Sequence, residues 1–142
     1  YGPWGRPDMS LFKFTKNILL NKEIEVFNNG KHYRDFTYID DIVSGIIKSI
    51  SFINKDKKNK NLFEIFNLGR GKSISLKEFI KWTELAIGKN AKKKYLGKQK
   101  GDIYKTHCDI RKSKKLLGYN PKTNFITGIK KFVDWYKKYY SI

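Results

Sequence analysis

The chain has one cysteine, Cys108, among its 142 residues. A single thiol excludes an intrachain disulfide, offers no metal-ligand spacing, and is typical of proteins in a reducing cytosol. No apolar run approaches the roughly 20 residues that a membrane-spanning helix needs, and no signal-peptide pattern opens the sequence. These absences predict a soluble cytoplasmic domain with no metal site and no membrane partner.

Acidic residues are also scarce, because 13 Asp and Glu face 31 Lys and Arg and leave a net charge of +18. Such an excess often marks nucleic-acid binding. However, 27 of the cations are lysines spread along the whole chain, so a basic nucleic-acid-binding module is kept only as the alternative. Arginine is rare, and each one is a candidate for a place that needs a planar guanidinium: Arg6, Arg34, Arg70 and Arg111.

Hydrophobic residues make up 39% of the chain and aromatic residues 15%, which suffices for one hydrophobic core. The patterns predict helices near 9–21, 40–53, 75–88, 110–117 and 125–140, and strands at 23–28, 33–39, 63–68 and 92–96. Residues 54–61, rich in lysine and asparagine, are expected to form a surface loop. The predicted class is α/β or α+β, with a small sheet of three or four strands.

Helix-capping residues and apolar stripes refine this prediction. Asp8 is expected to cap the first helix, and Asp40 and Asp41 the second, while Ser75 and Glu78 form a capping box. Helical spacing predicts a buried face on the second helix at Ile42, Ile46, Ile47, Ile50 and Ile53. It predicts another on the last helix at Ile126, Ile129, Val133, Tyr136 and Tyr140.

Three segments contain candidate binding residues. Arg34, at the start of a predicted strand, can hold a phosphate with two parallel hydrogen bonds. Arg6 lies in a rigid loop just before a helix N-terminus, a favourable place for an anion. Gln99 and Asp102 lie in the polar loop 98–102, where they can bind hydroxyls or phosphate or belong to a solvated turn.

Other chemistry is poorly supported. His32 and His107 are far apart and lack metal-ligand spacing, so each is expected to have an ordinary surface or core role. Cys108 is expected to be a packing residue rather than a nucleophile. The aromatic and basic run 135–140 can stack on nucleic-acid bases, but helical spacing places half of its aromatics in the core.

Taken together and in order, these residues resemble a known family. The runs YGPWGRPDM, RDFTYIDDI, NLG, GD, LGYNP and FVDWYKKYY resemble the C-terminal part of the NAD-dependent nucleotide-sugar epimerase/dehydratases, which are extended short-chain dehydrogenase/reductases. Within that family, the UDP-glucuronate 4-epimerases of capsular polysaccharide biosynthesis are the most similar group. The resemblance covers residues 1–142 and implies the small substrate-binding domain of a Rossmann-type enzyme.

The resemblance also implies roles for particular residues. Arg34 corresponds to the arginine that holds the UDP diphosphate, and Arg6 corresponds to a position that faces the sugar and its uronate carboxylate. The backbone at Glu25 and Phe27 contacts uracil. The remaining two implied substrate-binding residues, beside the diphosphate and ribose, are Gln99 and Asp102.

Two family features are absent from the sequence. Gly69-Arg70-Gly71 lacks the third glycine of an NAD-binding loop, and no Tyr-x-x-x-Lys catalytic pair occurs. The resemblance therefore implies that NAD and the catalytic residues belong to an N-terminal Rossmann domain missing from this chain. It further implies that the isolated chain is inactive and that the parent enzyme is a homodimer.

The expected reaction of the parent enzyme is interconversion of UDP-glucuronate and UDP-galacturonate through a 4-keto intermediate. A dehydratase, a decarboxylase or another epimerase of the same family remains an alternative, because the residues that decide between them lie mostly outside the sequence.

Overall fold

The computed structural model describes residues 1–55 and 63–142 of the chain. The helices are α1 (Ser10–Leu19), α2 (Ile39–Lys55), α3 (Leu76–Ile87), α4 (Arg111–Leu117) and α5 (Phe125–Tyr139). The strands are β1 (Glu23–Phe27), β2 (Tyr33–Asp35), β3 (Ser73–Ser75) and β4 (Lys92–Leu96), and a 3₁₀ turn, Asn28–Gly30, follows β1. The predicted α/β class, helices with a few short strands, is confirmed. Within the described ranges, no helix is long and apolar enough to cross a membrane.

The described strands form two separate pairs, so the prediction of a single small sheet is wrong. β1 runs parallel to β4, with Glu25 opposite Lys94. β2 runs antiparallel to β3, with Arg34 opposite Ile74. β3 is absent from the predicted elements because three residues are too few to show an alternating pattern. Both pairs contribute walls to the cavity described below.

The main hydrophobic core lies between β1 and the helices α1, α3 and α5. Ile24 of β1, Phe79 of α3 and Ile129 of α5 are fully buried. The ring of Phe36, which follows β2, stacks on Phe79 at a centroid distance of 4.6 Å. Because β1 is fixed on this core, one wall of the cavity is fixed with it.

The ends of α3 agree with the prediction. The hydroxyl of Ser75 accepts the Glu78 amide hydrogen at 3.2 Å, and the Glu78 carboxylate accepts the Ser75 amide hydrogen at 3.0 Å. At the other end Gly88 is left-handed, with φ 80°. This conformation favours glycine because it has no Cβ.

Two predicted boundaries near the candidate site are wrong. Helix α1 begins at Ser10, and Asp8 does not cap it, because the Asp8 carboxylate is paired with Arg6. Strand β2 ends at Asp35 instead of continuing to residue 39. Its partner β3 is only three residues long, and Phe36 packs into the core where a longer strand would continue.

Asp41 ties α2 to the segment before α5 rather than capping α2. Its two carboxylate oxygens accept the amide hydrogens of Lys122 at 3.0 Å and Thr123 at 3.1 Å. Helix α2 already begins at Ile39, so both Asp40 and Asp41 lie in its first turn. Negative charge there is favourable because the first turn of a helix carries unpaired amide groups.

The predicted burial of the isoleucine stripe on α2 is also wrong. The stripe is about half exposed in the described structure: Ile46 48%, Ile47 58%, Ile50 55% and Ile53 59%. Ile39 and Val43 continue it toward the start of the helix, at 41% and 44% exposure.

The opposite side of α2 packs against a second, smaller core. Phe52 contacts Phe66 edge to face at 5.4 Å, and Gly45 leaves room for Leu68. Residues 63–68, predicted to be a strand, have no strand partner among the described residues. Phe63 and Ile65, which alternate with the packed residues, are 83% and 66% exposed.

Two further predictions need correction or fall partly outside the described residues. On α5 the stripe is rotated, because Ile126 and Tyr140 are 40% and 45% exposed. The buried side consists of Phe125, Ile129, Phe132, Val133 and Tyr136. Of the predicted loop 54–61, residues 54 and 55 belong to α2. Residues 56–61 lie outside the described residues.

Candidate functional site

A cavity of about 770 Å³ opens between α1, the two strand pairs and the loop that follows β4. Four of the six predicted binding residues line it: Glu25, Phe27, Arg34 and Asp102. Its apolar wall comes from aromatic and aliphatic side chains, namely Phe14, Phe27, Phe36 and Leu76. A mostly apolar cleft with a few charged groups at fixed positions is typical of a small-molecule site.

The guanidinium of Arg34 is held in one orientation on this cavity. Its Nη2 donates to Oδ1 of Asp102 at 2.6 Å, and its Nη1 donates to the Tyr33 carbonyl at 2.9 Å. A longer contact of 3.5 Å joins Nη1 to the Tyr104 carbonyl. The side chain is 30% exposed, so its charge is partly shielded from water while still reachable by a ligand.

The segment containing Asp102 is attached to β2 by backbone hydrogen bonds. Tyr33 donates its amide hydrogen to the Tyr104 carbonyl at 2.9 Å and accepts one from Thr106 at 3.1 Å. The Thr106 hydroxyl accepts the Asp35 amide hydrogen at 3.1 Å. These bonds explain how Asp102, 68 residues after Arg34 in the chain, comes to lie beside it.

Arg6 does not line this cavity. Its guanidinium forms a two-point pair with Asp8, through Nε at 3.1 Å and Nη2 at 2.6 Å, and its side chain is 72% exposed. The hydrogen bond from Arg6 lowers the pKa of the Asp8 carboxyl below its ordinary value. Asp8 itself does line the cavity, so the Arg6 pair stands at its rim, and the predicted contact of Arg6 with a sugar stays a prediction.

Gln99 also lies away from the cavity. Its carbonyl accepts the Asp102 amide hydrogen at 3.3 Å, which closes a turn containing Gly101 at φ 80°. The turn sets the backbone before Asp102, while the Gln99 side chain is exposed. The predicted contact of Gln99 with a diphosphate or ribose therefore stays a prediction.

The loop Gly69-Arg70-Gly71 is unsuited to cradling a phosphate. Asp35 already accepts the amide hydrogens of Arg70 at 3.0 Å and Gly71 at 2.9 Å. A Cβ placed on Gly69 would lie 2.4 Å from the Cβ of Cys108, so this glycine serves close packing. The backbone amides of Arg70 and Gly71 are thus not available to hold the pyrophosphate of NAD.

Several cavity residues escaped the sequence analysis. Lys13 on α1 and Lys94 on β4 add positive charge, and Thr106 adds a hydroxyl. Only Lys94 could have been found from the sequence, because it lies in the middle of the predicted strand 92–96. Pairing of that strand with the predicted strand 23–28 can place Lys94 opposite Glu25. His32 is the fourth missed residue, and a lone histidine carries no spacing signal at all.

Neither metal binding nor thiol chemistry finds support in this region. No cluster of three or more potential metal ligands exists within residues 1–55 and 63–142. Burial raises the pKa of the Cys108 thiol, which disfavours the thiolate that a nucleophile requires. Cys108 packs against the smaller core, as predicted.

Comparisons with known proteins agree on one group of enzymes. The sequence profile of the "NAD dependent epimerase/dehydratase family" matches residues 1–69. An uncharacterised protein of Methanocaldococcus jannaschii is 52% identical over 96% of this chain and 40% of its own length. The UDP-glucuronate 4-epimerase of Thermodesulfobacterium geofontis is 45% identical over 97% of this chain and 41% of its own length.

A solved structure extends this likeness to three dimensions. The UDP-glucuronic acid 4-epimerase from Bacillus cereus, in complex with UDP-glucuronic acid and NAD, superposes with a TM-score of 0.87 and 33% identity. The match covers 99% of this chain and 43% of that protein. The chain thus spans about two fifths of the length of these relatives.

Proposed function

We propose that the chain belongs to the NAD dependent epimerase/dehydratase family, whose sequence profile matches residues 1–69, and that it is the nucleotide-sugar-binding part of an NAD-dependent UDP-sugar 4-epimerase. The proposed substrates are UDP-glucuronate and UDP-galacturonate, in line with the relatives named UDP-glucuronate 4-epimerases. The parent enzyme is proposed to be a cytoplasmic homodimer that supplies sugar nucleotides for polysaccharide synthesis.

The position of Arg34 is the observation that carries this proposal. A guanidinium on a half-buried wall of a 770 Å³ cavity can bind a diphosphate more strongly than a fully solvated lysine does. The bonds to Asp102 and to backbone carbonyls fix its orientation before a ligand arrives. Binding then costs less side-chain entropy.

We propose that the uracil ring lies at β1, near Glu25 and Phe27. Among the described residues, β1 pairs with β4 alone. We infer that backbone donors and acceptors at Glu25 and Phe27 bind the amide-like edge of uracil. Phe27 and Phe14 supply apolar walls for the ring.

NAD and the catalytic residues are assigned to the part of the parent protein beyond this chain. Bound there, NAD would supply a reversible hydride acceptor for carbon 4 of the sugar. The residues of this chain hold the UDP moiety, so that the sugar can turn while the nucleotide stays fixed.

Steady-state kinetics of the full-length protein test the role of Arg34. We expect Arg34→Ala to raise the KM for UDP-glucuronate roughly 10- to 100-fold, because hydrogen bonds to charged groups contribute about 1.5–3 kcal/mol each. NAD binding should be unaffected.

Arg111→Ala is the matched control for this experiment. Arg111 is also paired with an aspartate, Asp109, but its side chain is 89% exposed and does not line the cavity. An unchanged KM in Arg34→Ala, or an equal increase in Arg111→Ala, would exclude the proposed role of Arg34.

A further inference from the structure

A buried histidine lies behind the Arg34–Asp102 pair. His32 is only 5% exposed, and its Nδ1 lies 3.3 Å from Oδ2 of Asp102. The other oxygen of the same carboxylate, Oδ1, accepts from Arg34. One carboxylate therefore joins a buried ring on one side to the candidate phosphate-binding guanidinium on the other.

We propose that His32 is a positioning residue for Arg34, acting through Asp102 to orient the guanidinium toward the diphosphate of a nucleotide. This inference rests on the proposed function, in which Arg34 binds that diphosphate. His32 orients the Asp102 carboxylate, which in turn orients the Arg34 guanidinium.

The backbone flanking the contact between His32 and Asp102 indicates why Asp102 needs His32 in order to keep Arg34 oriented. Asp102 follows an exposed turn at residues 98–101, which gives its side chain little packing of its own. His32 is anchored, since its carbonyl accepts the Leu76 amide hydrogen at 2.8 Å at the start of α3. The ring thus lies between an exposed loop and the start of β2, and rotation of the Asp102 carboxylate away from the ring would lose the 3.3 Å contact with Nδ1.

The two ring nitrogens of His32 have different surroundings. Nδ1 faces a carboxylate and must carry a hydrogen to bond with it. Nε2 is buried and has no hydrogen-bond partner in the part of the chain that the structure describes. A hydrogen on Nε2 would be a buried donor without an acceptor. A hydrogen on Nδ1 therefore suits the contact with Asp102.

Two substitutions of the same chemical type separate this role from simple packing. In His32→Asn, the side-chain amide nitrogen lies where Nδ1 lies in histidine and keeps the donor to Asp102. In His32→Gln, the amide nitrogen lies closer to the Nε2 position and loses it. Both remove the ring, so any effect of the lost ring appears in both variants.

The measurement is isothermal titration of UDP and of uridine into the full-length protein and each variant. For His32→Gln we expect UDP to bind about 3- to 10-fold more weakly while uridine, which lacks the diphosphate, binds as before. His32→Asn should stay close to wild type for both ligands. In an Arg34→Ala background, His32→Gln should cause no further loss of UDP affinity.

Other outcomes overturn the inference. Equal weakening of UDP and uridine, equal effects of the two variants, or no effect of His32→Gln would each assign His32 a purely structural role. Failure of the wild-type protein to bind UDP would instead overturn the proposed function itself. If His32→Gln does not fold, His32→Phe, which keeps a ring but has no hydrogen-bond donor, tests the same contact, and it must weaken UDP but not uridine.

Discussion

At the scale of single residues, the Asp35 carboxylate joins three segments of the chain. Its oxygens accept the amide hydrogens of Arg70, Gly71 and Cys108 at 3.0, 2.9 and 3.1 Å. Asp35 directly follows Arg34 on β2, so this carboxylate also fixes the strand that presents the guanidinium. The adjacent residues Arg34 and Asp35 thus have different roles. Arg34 contacts the loop that contains Asp102, and Asp35 holds the backbone of the neighbouring segments in place.

We predict that Asp35→Asn lowers the free energy of unfolding by about 2–3 kcal/mol. One asparagine oxygen replaces two carboxylate oxygens, and its NH₂ group then faces a backbone N–H that needs an acceptor. Urea denaturation of the full-length protein, followed by tryptophan fluorescence, measures this change. Asp109→Asn serves as the control, because among the described residues the Asp109 carboxylate accepts hydrogen bonds only from the exposed Arg111. Equal stability losses in the two variants would contradict the account.

The candidate site was partly predictable at this scale. Arg34 and Asp102 stood out because arginine is rare in this chain and because each lies in a recognisable motif. Their pairing was not predictable, since it depends on the backbone bonds between β2 and residues 104–106. Arg6 was expected at the ligand because it precedes a helix, yet an aspartate two residues away pairs with it.

At the scale of secondary structure, α2 and residues 63–68 together present an apolar surface that no other described part of the chain covers. The exposed stripe runs from Ile39 to Ile53 on α2. Residues 63–68 are apolar on both sides, with Phe66 packed on α2 and Phe63 and Ile65 exposed. A strand that is apolar on both faces is typical of a parallel sheet covered by helices. We propose that this surface packs against the NAD-binding part of the parent protein.

We predict that the double substitution Ile46→Gln with Ile50→Gln destabilises the full-length protein. Each isoleucine buried in an interface contributes about 1.5–3 kcal/mol, so thermal unfolding should begin at a clearly lower temperature. Leu85→Gln is the matched control, because Leu85 is 61% exposed on α3 and lies outside the stripe. If the double variant melts like Leu85→Gln, the stripe faces solvent in the intact protein.

Helices were predicted more successfully than strands, and for a physical reason. The capping box of Ser75 and the terminal glycine Gly88 are local signals, so both ends of α3 could be located from sequence. The three-residue strand β3 depends on a distant partner, and no local pattern reveals it. The isoleucine stripe of α2 correctly indicated an apolar face, but periodicity does not reveal which partner covers that face.

At the scale of the whole molecule, the net charge of +18 permits two kinds of anionic ligand. Lysines distributed over a surface attract nucleic acid through released counterions, and that attraction weakens steeply as salt increases. A single half-buried arginine inside a cavity is screened much less. The two possibilities therefore differ in their response to salt.

We predict that UDP affinity changes less than 10-fold between 50 and 300 mM salt, on the grounds that few ion pairs are involved. Affinity for a single-stranded oligonucleotide should be weak and should fall far more steeply over the same range. Fluorescence titrations of the full-length protein with both ligands provide the comparison. Tight oligonucleotide binding that persists at 300 mM salt would favour a nucleic-acid-binding module instead.

The central claim is that the cavity between α1, β1 and β2 holds the nucleotide of a UDP-sugar. A crystal structure of the full-length protein with UDP-glucuronate tests it most directly. The account predicts diphosphate oxygens within hydrogen-bond distance of the Arg34 guanidinium and the uracil ring beside Glu25 and Phe27. A UDP moiety bound elsewhere, with the Arg34–Asp102 pair facing an empty cavity, would contradict it.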